Sequence, residues 1–199
     1  MLDKNELQKI INIPGEVKGV VFQTDANFIL QNKGEAGLKQ LEEQAKILDL
    51  PINYRETSAL KTYPIGLRVA SLLLIKDTFN FNDEEIRRMG YEAPKTSFVV
   101  KLLMKFLVSF AKLMKEVPGY WSEHYTVGSL ESININDERK EASIYLRDIM
   151  IHPIFCRYLE GYFEKIYELS LAGKKGDCKE IECAFSGATS HHYELKLKQ

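Results

Sequence analysis

The stretch HPIFCRYLEGYFEKIYELSL, residues 152–171, lies between two segments in which apolar and polar residues mostly alternate. Its own apolar residues recur every three or four positions, which is the spacing of one face of an α-helix. Each flanking segment contains two short runs joined by a polar or glycine-containing turn, as β-hairpins do. The order hairpin, helix, hairpin predicts a four-stranded antiparallel sheet covered on one face.

Alternation also predicts which side chains face the core. The first hairpin pairs residues 129–135 with residues 142–150. In the first strand of the second hairpin, Ile181, Cys183 and Phe185 share one face. The second strand presents His191, Tyr193, Leu195 and Leu197. The predicted core face of the helix is Phe155, Tyr158, Leu159, Tyr162, Ile166 and Leu169. Gly161 in the middle of this helix costs about 1 kcal/mol relative to alanine, so it indicates close approach of another backbone or of a ligand.

The N-terminal half is predicted to be mainly helical. Residues 17–30 fit either a strand or a helix. Helices are expected over residues 34–48, over 63–79, from a cap at Asn82 to Gly90, and from Pro94 to a break at Pro118-Gly119. The whole chain is therefore predicted as one α+β domain: an arm over residues 1–16, a mainly helical part over 17–127 and a ββαββ part over 128–199.

Composition excludes some classes of function. The 199 residues carry a formal net charge of -1, so a general electrostatic attraction to nucleic acid is absent. No apolar run reaches the length of a membrane span, and the charged N-terminus lacks the apolar core of a signal peptide. Three cysteines are typical of reduced thiols, and we expect a cytoplasmic protein.

Four segments and their order carry a resemblance to known proteins: residues 17–41 (VKGVVFQTDANFILQNKGEAGLKQL), 62–74 (TYPIGLRVASLLL), 85–94 (EIRRMGYEAP) and the tail of 152–171 followed by CKEIECAFSGATSHHYELKL. The chain resembles a family of uncharacterised bacterial proteins. That family is similar to the haem-NO-binding and 4-vinyl-reductase domains, which are small-molecule sensors. The resemblance implies a sensory function, while each chemistry must be supported by residues present here.

Bound haem is not expected. The haem-binding relatives use a helix histidine as an iron ligand and a Tyr-x-Ser-x-Arg motif for the propionates. No histidine occurs between Pro94 and Val117, where such a helix is predicted, and Tyr145-Leu146-Arg147 lacks the spacing. No other cofactor is predicted.

A metal site in the tail is possible only if separate elements meet. Adjacent histidines point to opposite faces of a strand, and so do two cysteines five residues apart, here Cys178 and Cys183. At most Cys183 and His191 share a face, and Cys156 on the helix would be a third ligand. We expect a buried thiol and a core histidine rather than a metal, but the sequence leaves open whether these three residues converge.

Catalysis is not indicated. There is no Gly-x-Ser-x-Gly elbow or phosphate-binding glycine motif, and the carboxylates at 83–85 are explained by helix capping. One stripe of lysines is either a solvated helix face or a surface for an acidic partner or an anionic membrane: Lys101, Lys105, Lys112 and Lys115.

Aromatic residues cluster around the end of the long helix and on the later helix. Because ligand pockets are mostly apolar and aromatic with a few polar tips, we predict that these residues bind an apolar small molecule. The candidate residues are Phe106, Phe110, Tyr120, Trp121, Tyr125, Phe155, Tyr158 and Tyr162. Truncation of Trp121 or Phe110 is expected to weaken binding more than stability. The alternative function is a protein–protein adaptor that acts as a homodimer.

Overall fold

The computed structural model describes residues 2–96, 109–171 and 173–198. Its α-helices are α1 (Lys4–Ile11), α2 (Val20–Ile47), α3 (Ile65–Phe79), α4 (Asp83–Thr96), α5 (Phe110–His124) and α6 (Pro153–Leu169). Its strands are β1 (Glu16–Lys18), β2 (Thr62–Pro64), β3 (Ser129–Asn136), β4 (Glu141–Arg147), β5 (Gly176–Glu182) and β6 (His191–Leu197). The predicted order of a helical half followed by hairpin, helix and hairpin is confirmed.

The last four strands form one antiparallel sheet in the order β3-β4-β6-β5. Helix α6 connects the two hairpins and packs on one face of this sheet. The Phe163 ring meets the Tyr193 ring edge to face at 5.1 Å between centroids, and the Tyr167 hydroxyl donates to the Lys140 carbonyl in the β3–β4 turn. These contacts fix the helix above the centre of the sheet.

The opposite side of α6 is covered by α4, and the two helices touch backbone to backbone. A Cβ atom at Gly161 would clash with the Arg87 carbonyl, and one at Gly90 would clash with the Tyr158 carbonyl. The backbone approach predicted at Gly161 is therefore present. The prediction that Gly90 ends its helix is wrong, because α4 continues to Thr96 and includes Pro94.

The remaining helices pack around this pair. The ambiguous residues 17–30 form the short strand β1 and the first part of α2, which bends at Gly34, where φ is 68°. Strand β1 pairs with β2, and α3 follows directly with buried residues on every side. The predicted buried helix over residues 63–79 is thus confirmed, with its start at Ile65.

Helix α5 continues through Pro118 and Gly119 to His124, so the predicted break is wrong. Proline removes one helical hydrogen bond, but buried side chains on both sides, Met114 and Trp121, anchor the two halves to the same core. Ser109 caps the start by accepting from the Lys112 amide. Of the long helix predicted from Pro94, the residues Val99, Lys101, Leu103, Lys105 and Phe106 lie outside the described ranges.

None of the helices in the described part of the chain is both long and apolar enough to cross a membrane.

Replacing Gly161 by alanine is expected to lower the free energy of unfolding by about 1–3 kcal/mol, because the added methyl group must push the α4 and α6 backbones apart. Urea denaturation measures this change. Gly119→Ala is the matched control: it lies inside α5, nothing is within 4 Å of the position that the added methyl group would take, and alanine should add up to about 1 kcal/mol. Equal effects of the two substitutions would contradict the close crossing.

Candidate functional site

A cavity of about 50 Å³ lies where α2, α5 and α6 meet. Its walls are almost entirely apolar or aromatic. Five of the eight predicted ligand-binding residues line it: Tyr120, Trp121, Tyr125, Tyr158 and Tyr162. The structure therefore brings together aromatic side chains from two helices that the sequence could place only on separate elements.

Trp121 forms a fixed wall of this cavity. Its ring stacks on Tyr125 with 4.1 Å between centroids and an interplanar angle of 14°. The indole N–H donates to the carbonyl oxygens of Val127 and Gly128, at 3.1 and 3.2 Å. Because the indole is bonded to the loop that leads into β3, the wall is tied to the sheet as well as to α5.

Most of the polar groups that line the cavity are phenols. Burial raises the pKa of Tyr158 to about 12 and raises the pKa values of Tyr125 and Tyr162 further. The Tyr162 hydroxyl donates to the Tyr120 hydroxyl at 3.5 Å. These groups can therefore donate or accept hydrogen bonds at neutral pH, but they offer no charge to a ligand.

The other predicted ligand-binding residues are placed differently. Phe155 stands beside Tyr125, with 6.1 Å between ring centroids, and lines a smaller neighbouring cavity. Phe110 packs edge to face on Tyr167 at 5.5 Å and is not among the residues around the aromatic cavity. Phe106 lies outside the described ranges.

Sequence reasoning missed several cavity residues. Val20, Val21 and Thr24 line it from α2, and His124 lines it from the end of α5. The first three fall in the stretch that fitted either a strand or a helix. His124 lies in the same aromatic stretch as Tyr120 and Tyr125 but was not among the predicted ligand-binding residues.

A buried ion pair lies behind the aromatic wall. The Arg68 guanidinium bonds the Asp25 carboxylate, both side chains are fully buried, and the guanidinium also lies 4.3 Å from the centre of the Tyr158 ring. Ser71 donates to the same carboxylate at 2.7 Å. Arg68 Nε and Nη2 and Asp25 Oδ1 have no hydrogen-bond partner among the described residues. The pair thus connects α2 to α3, and its stabilising effect is reduced by the burial of two charges whose polar atoms are only partly hydrogen-bonded.

The charge on Asp25 is opposed by burial and favoured by Arg68. Burial is the larger effect and raises the pKa of Asp25 to about 6. A carboxyl whose pKa is higher in the folded than in the unfolded state contributes most stability below its unfolded pKa. That contribution is lost as the pH rises through the folded value.

Arg68→Met is expected to lower the free energy of unfolding by about 3–5 kcal/mol at pH 7.5, because Asp25 then has no positive partner. The loss should be smaller at pH 5, where the carboxyl takes up a proton. Adding Asp25→Asn to Arg68→Met should recover part of it. Urea denaturation at both pH values measures these differences.

Arg55→Met is the control for that experiment. Its guanidinium pairs with Glu35 at 2.6 Å and Glu42 at 3.0 Å on the surface, where an ion pair contributes about 0–1 kcal/mol. An Arg68→Met variant as stable as Arg55→Met would show that the buried pair does not stabilise α2 against α3.

A second group of chemical interest lies at the N-terminal end of α6, where Cys156 meets Cys183 and His191. Strand β5 contains a bulge between Glu180 and Glu182, and this bulge reverses the expected facing. Ile181 is 47 % exposed, so the prediction that Ile181, Cys183 and Phe185 share one face is wrong. Instead Glu180 and Cys183, three residues apart, both point toward α6. Glu180 is a further residue that alternation alone did not identify.

The described residues around the aromatic cavity do not fit a haem. The cavity is several-fold smaller than the ~300–1,000 Å³ of ordinary ligand pockets, and a porphyrin needs a large one. No arginine or lysine stands among the described lining residues to pair with propionates. One feature does fit iron ligation: burial lowers the pKa of His124, and its Nδ1 lies 2.9 Å from the Tyr120 carbonyl, which leaves Nε2 as the acceptor of a neutral ring.

The fold matches solved structures of H-NOX domains over most of the chain. An H-NOX protein from S. oneidensis in the Fe(II)NO ligation state superposes with a TM-score of 0.69 at 11 % identity, covering 92 % of this chain and 99 % of that one. An oxygen-binding H-NOX domain related to soluble guanylate cyclases gives a TM-score of 0.65 at 12 % identity, covering 92 % and 95 %. No protein-family profile and no curated protein matches the sequence. The chain therefore has the H-NOX fold, which confirms the resemblance at the level of architecture.

Proposed function

We propose that this chain is a small-molecule-binding sensory domain that holds an apolar ligand in the aromatic cavity and works without haem. The observation that carries the proposal is the cavity itself, because aromatic side chains at the end of α5, directly after it and on α6 surround space that ordinary core packing would fill. The matched H-NOX structures, named for NO and oxygen complexes, support small-molecule sensing on this fold.

The chemistry of the walls defines the ligand class. Neutral phenols and apolar side chains favour an uncharged, compact and largely apolar molecule with at most one or two hydrogen-bonding groups. A charged ligand would lose its hydration without gaining a partner, since the nearby Arg68 is already paired with Asp25. At about 50 Å³ the cavity is smaller than the ~150 Å³ of a cavity that binds benzene, so a ligand of the size of one aromatic ring requires the wall side chains to move outward.

Binding of such a ligand is expected to raise the melting temperature, and benzene is the probe of choice as a small aromatic. Trp121→Leu should weaken benzene binding by about two- to tenfold, because ring stacking contributes about 0.5–1.5 kcal/mol beyond the buried area. Phe110→Leu, which the sequence alone predicted to weaken binding, serves instead as the matched control, because the Phe110 ring is equally buried but packs on Tyr167 away from the cavity. Thermal melting over a benzene titration measures both variants against their own ligand-free state.

Phe110→Leu should lose stability and keep the benzene-dependent shift. An equal loss of that shift in both variants, or no shift in the unaltered protein, would contradict binding in this cavity. Native mass spectrometry of freshly purified, untagged protein adds a probe-free test. A mass excess that disappears on denaturation would reveal a co-purified ligand.

Haem reconstitution is expected to give no stoichiometric Soret band, because the described cavity lacks both the volume and the cationic partners for haem. Absorption spectroscopy of haem-incubated protein after gel filtration measures this. A sharp band at one haem per chain that His124→Ala abolishes would contradict the proposal and identify His124 as the iron ligand.

A homodimeric adaptor remains the alternative proposal. The edge strands β3 and β5 each carry one exposed isoleucine, Ile133 and Ile181, at 41 % and 47 % exposure. An adaptor would show concentration-dependent assembly without a ligand-dependent shift. We also propose that the domain is not catalytic, since burial raises the pKa of Cys156 and so disfavours the nucleophilic thiolate.

A further inference from the structure

The Arg68 guanidinium is a buried hydrogen-bond donor that is only partly used. Its side chain is fully buried, and one nitrogen, Nη1, donates to the Asp25 carboxylate. The other two nitrogens, Nε and Nη2, make no hydrogen bond within the described part of the chain. Buried donors are nearly always paired, because an unpaired one destabilises the folded protein. The guanidinium therefore retains N–H groups that can hold a further acceptor.

The Asp25 carboxylate is held in an arrangement that leaves those N–H groups unused. Ser71 donates at 2.7 Å to the same oxygen, Oδ2, that accepts from Arg68, and the Ser71 hydroxyl lies 2.9 Å from the Tyr54 hydroxyl. A guanidinium and a carboxylate can form two parallel hydrogen bonds, but this pair forms one. The charges of the pair are thus balanced while one edge of the guanidinium is still able to donate.

This guanidinium lies directly behind the wall of the aromatic cavity. It is 4.3 Å from the centre of the Tyr158 ring, and the Tyr158 side chain lines the cavity. Thr24, another lining residue, directly precedes Asp25 in α2. The charge of Arg68 also acts against burial on the pKa of Tyr125, a third lining residue. The guanidinium is therefore close to three parts of the wall, although Arg68 is not itself a lining residue.

Tyr158 is in contact with both the guanidinium and the cavity. The charge of Arg68 acts on the phenol, but no hydrogen bond of normal geometry joins Arg68 Nε or Nη2 to its oxygen. A ligand of the size of one ring requires the wall side chains to move outward. If the Tyr158 ring is one of those that move, the cavity opens onto the unused N–H groups of Arg68.

We propose that the ligand of the aromatic cavity is a neutral carbonyl compound whose oxygen accepts hydrogen bonds from Arg68 Nε and Nη2 after the Tyr158 ring has moved aside. This inference rests on the ligand-binding function proposed above and names the chemical class of the ligand. The hydrogen bonds to the carbonyl oxygen replace the contact between the guanidinium and the Tyr158 ring.

A carbonyl oxygen is the acceptor that this environment fits. Nε and Nη2 share one edge of the planar guanidinium, so their N–H groups point the same way, and a carbonyl oxygen offers two lone pairs without a proton of its own. A carboxylate would add a second negative charge beside Asp25 in a buried space, where like charges repel strongly. The apolar and aromatic lining residues suit the hydrocarbon part of a ketone.

The test compares two probes of the same shape, cyclopentanone and methylenecyclopentane, which differ only in a carbonyl oxygen against a CH₂ group. In an apolar cavity without a donor the alkene binds more tightly, because the ketone gives up its hydrogen bonds with water. With the Arg68 N–H groups as donors, we expect the unaltered protein to bind the ketone at least as tightly as the alkene. Thermal melting over a titration of each probe gives the two affinities.

Arg68→Lys is the variant that tests the donor. It keeps a positive charge beside Asp25, so the chain should fold, but it lacks Nε and Nη2. We expect the preference to move toward the alkene by about tenfold or more, since a hydrogen bond to a charged group is lost. Arg55→Lys is the matched control: its guanidinium pairs with Glu35 and Glu42 on the surface, and this variant should keep the ketone preference.

A second measurement uses the unaltered protein and needs no variant that folds. In protein labelled with ¹⁵N-arginine, the N–H resonance of a buried Nε is observed directly, and it moves downfield when that group forms a hydrogen bond. We expect one arginine Nε–H resonance, absent from Arg68→Lys, to move downfield with cyclopentanone and to lack this change with methylenecyclopentane.

The outcomes separate this inference from the function on which it rests. If neither probe raised the melting temperature, both the cavity function and the carbonyl ligand would be overturned. A preference for the alkene in the unaltered protein, with no ketone-dependent change at an arginine Nε–H, would overturn the carbonyl ligand alone. If Tyr158→Phe and not Arg68→Lys removed the ketone preference, the phenol would be the donor, and the assignment to Arg68 would be wrong.

Discussion

The backbone contact between α4 and α6 is the constraint on which the rest of the structure depends. Gly90 and Gly161 face each other so closely that neither position accepts a side chain. Helix α6 therefore lies deep in the molecule, with α4 on one side and the sheet on the other. Most of its circumference is buried, including Glu160, Glu164 and Glu168.

Burial of these three glutamates is possible because charged neighbours reach them from the surrounding elements. Arg87 of α4 pairs with Glu164, and Lys198 near the end of β6 reaches the same carboxylate at 3.2 Å. Glu168 accepts from the Tyr91 hydroxyl. The polar face of α6 is thus satisfied by α4 and the sheet edge, and its aromatic face is left for α2, α5 and the core. The glycine contact and the ion pairs act together, since the short distance between helices lets the side chains meet.

Both candidate sites are built on α6 and are about one helical turn apart. Cys156 is in the first turn and belongs to the cysteine–histidine cluster, while Tyr158 and Tyr162 belong to the aromatic cavity. Phe155 stands between them, against Tyr125 on one side and lining the small cavity near His191 on the other. The two sites therefore share one packed helix, and Phe155 lies in contact with residues of both.

The sequence by itself determined the architecture of the C-terminal half, because alternation and helical periodicity are local signals that the final packing retained. It also supplied the aromatic residues of the cavity and Cys156, Cys183 and His191 as residues that meet only if separate elements converge.

Tertiary structure decided the rest. Whether Pro118 ends α5 depends on buried anchors at Met114 and Trp121, so His124 could not be placed from the sequence. Whether Cys183 lies on the same side of the strand as Glu180 depends on a bulge, which shifts every later side chain to the other face and leaves no mark in the local pattern. Residues far apart in the chain create both effects, and their contacts exist only once the helices and the sheet have packed.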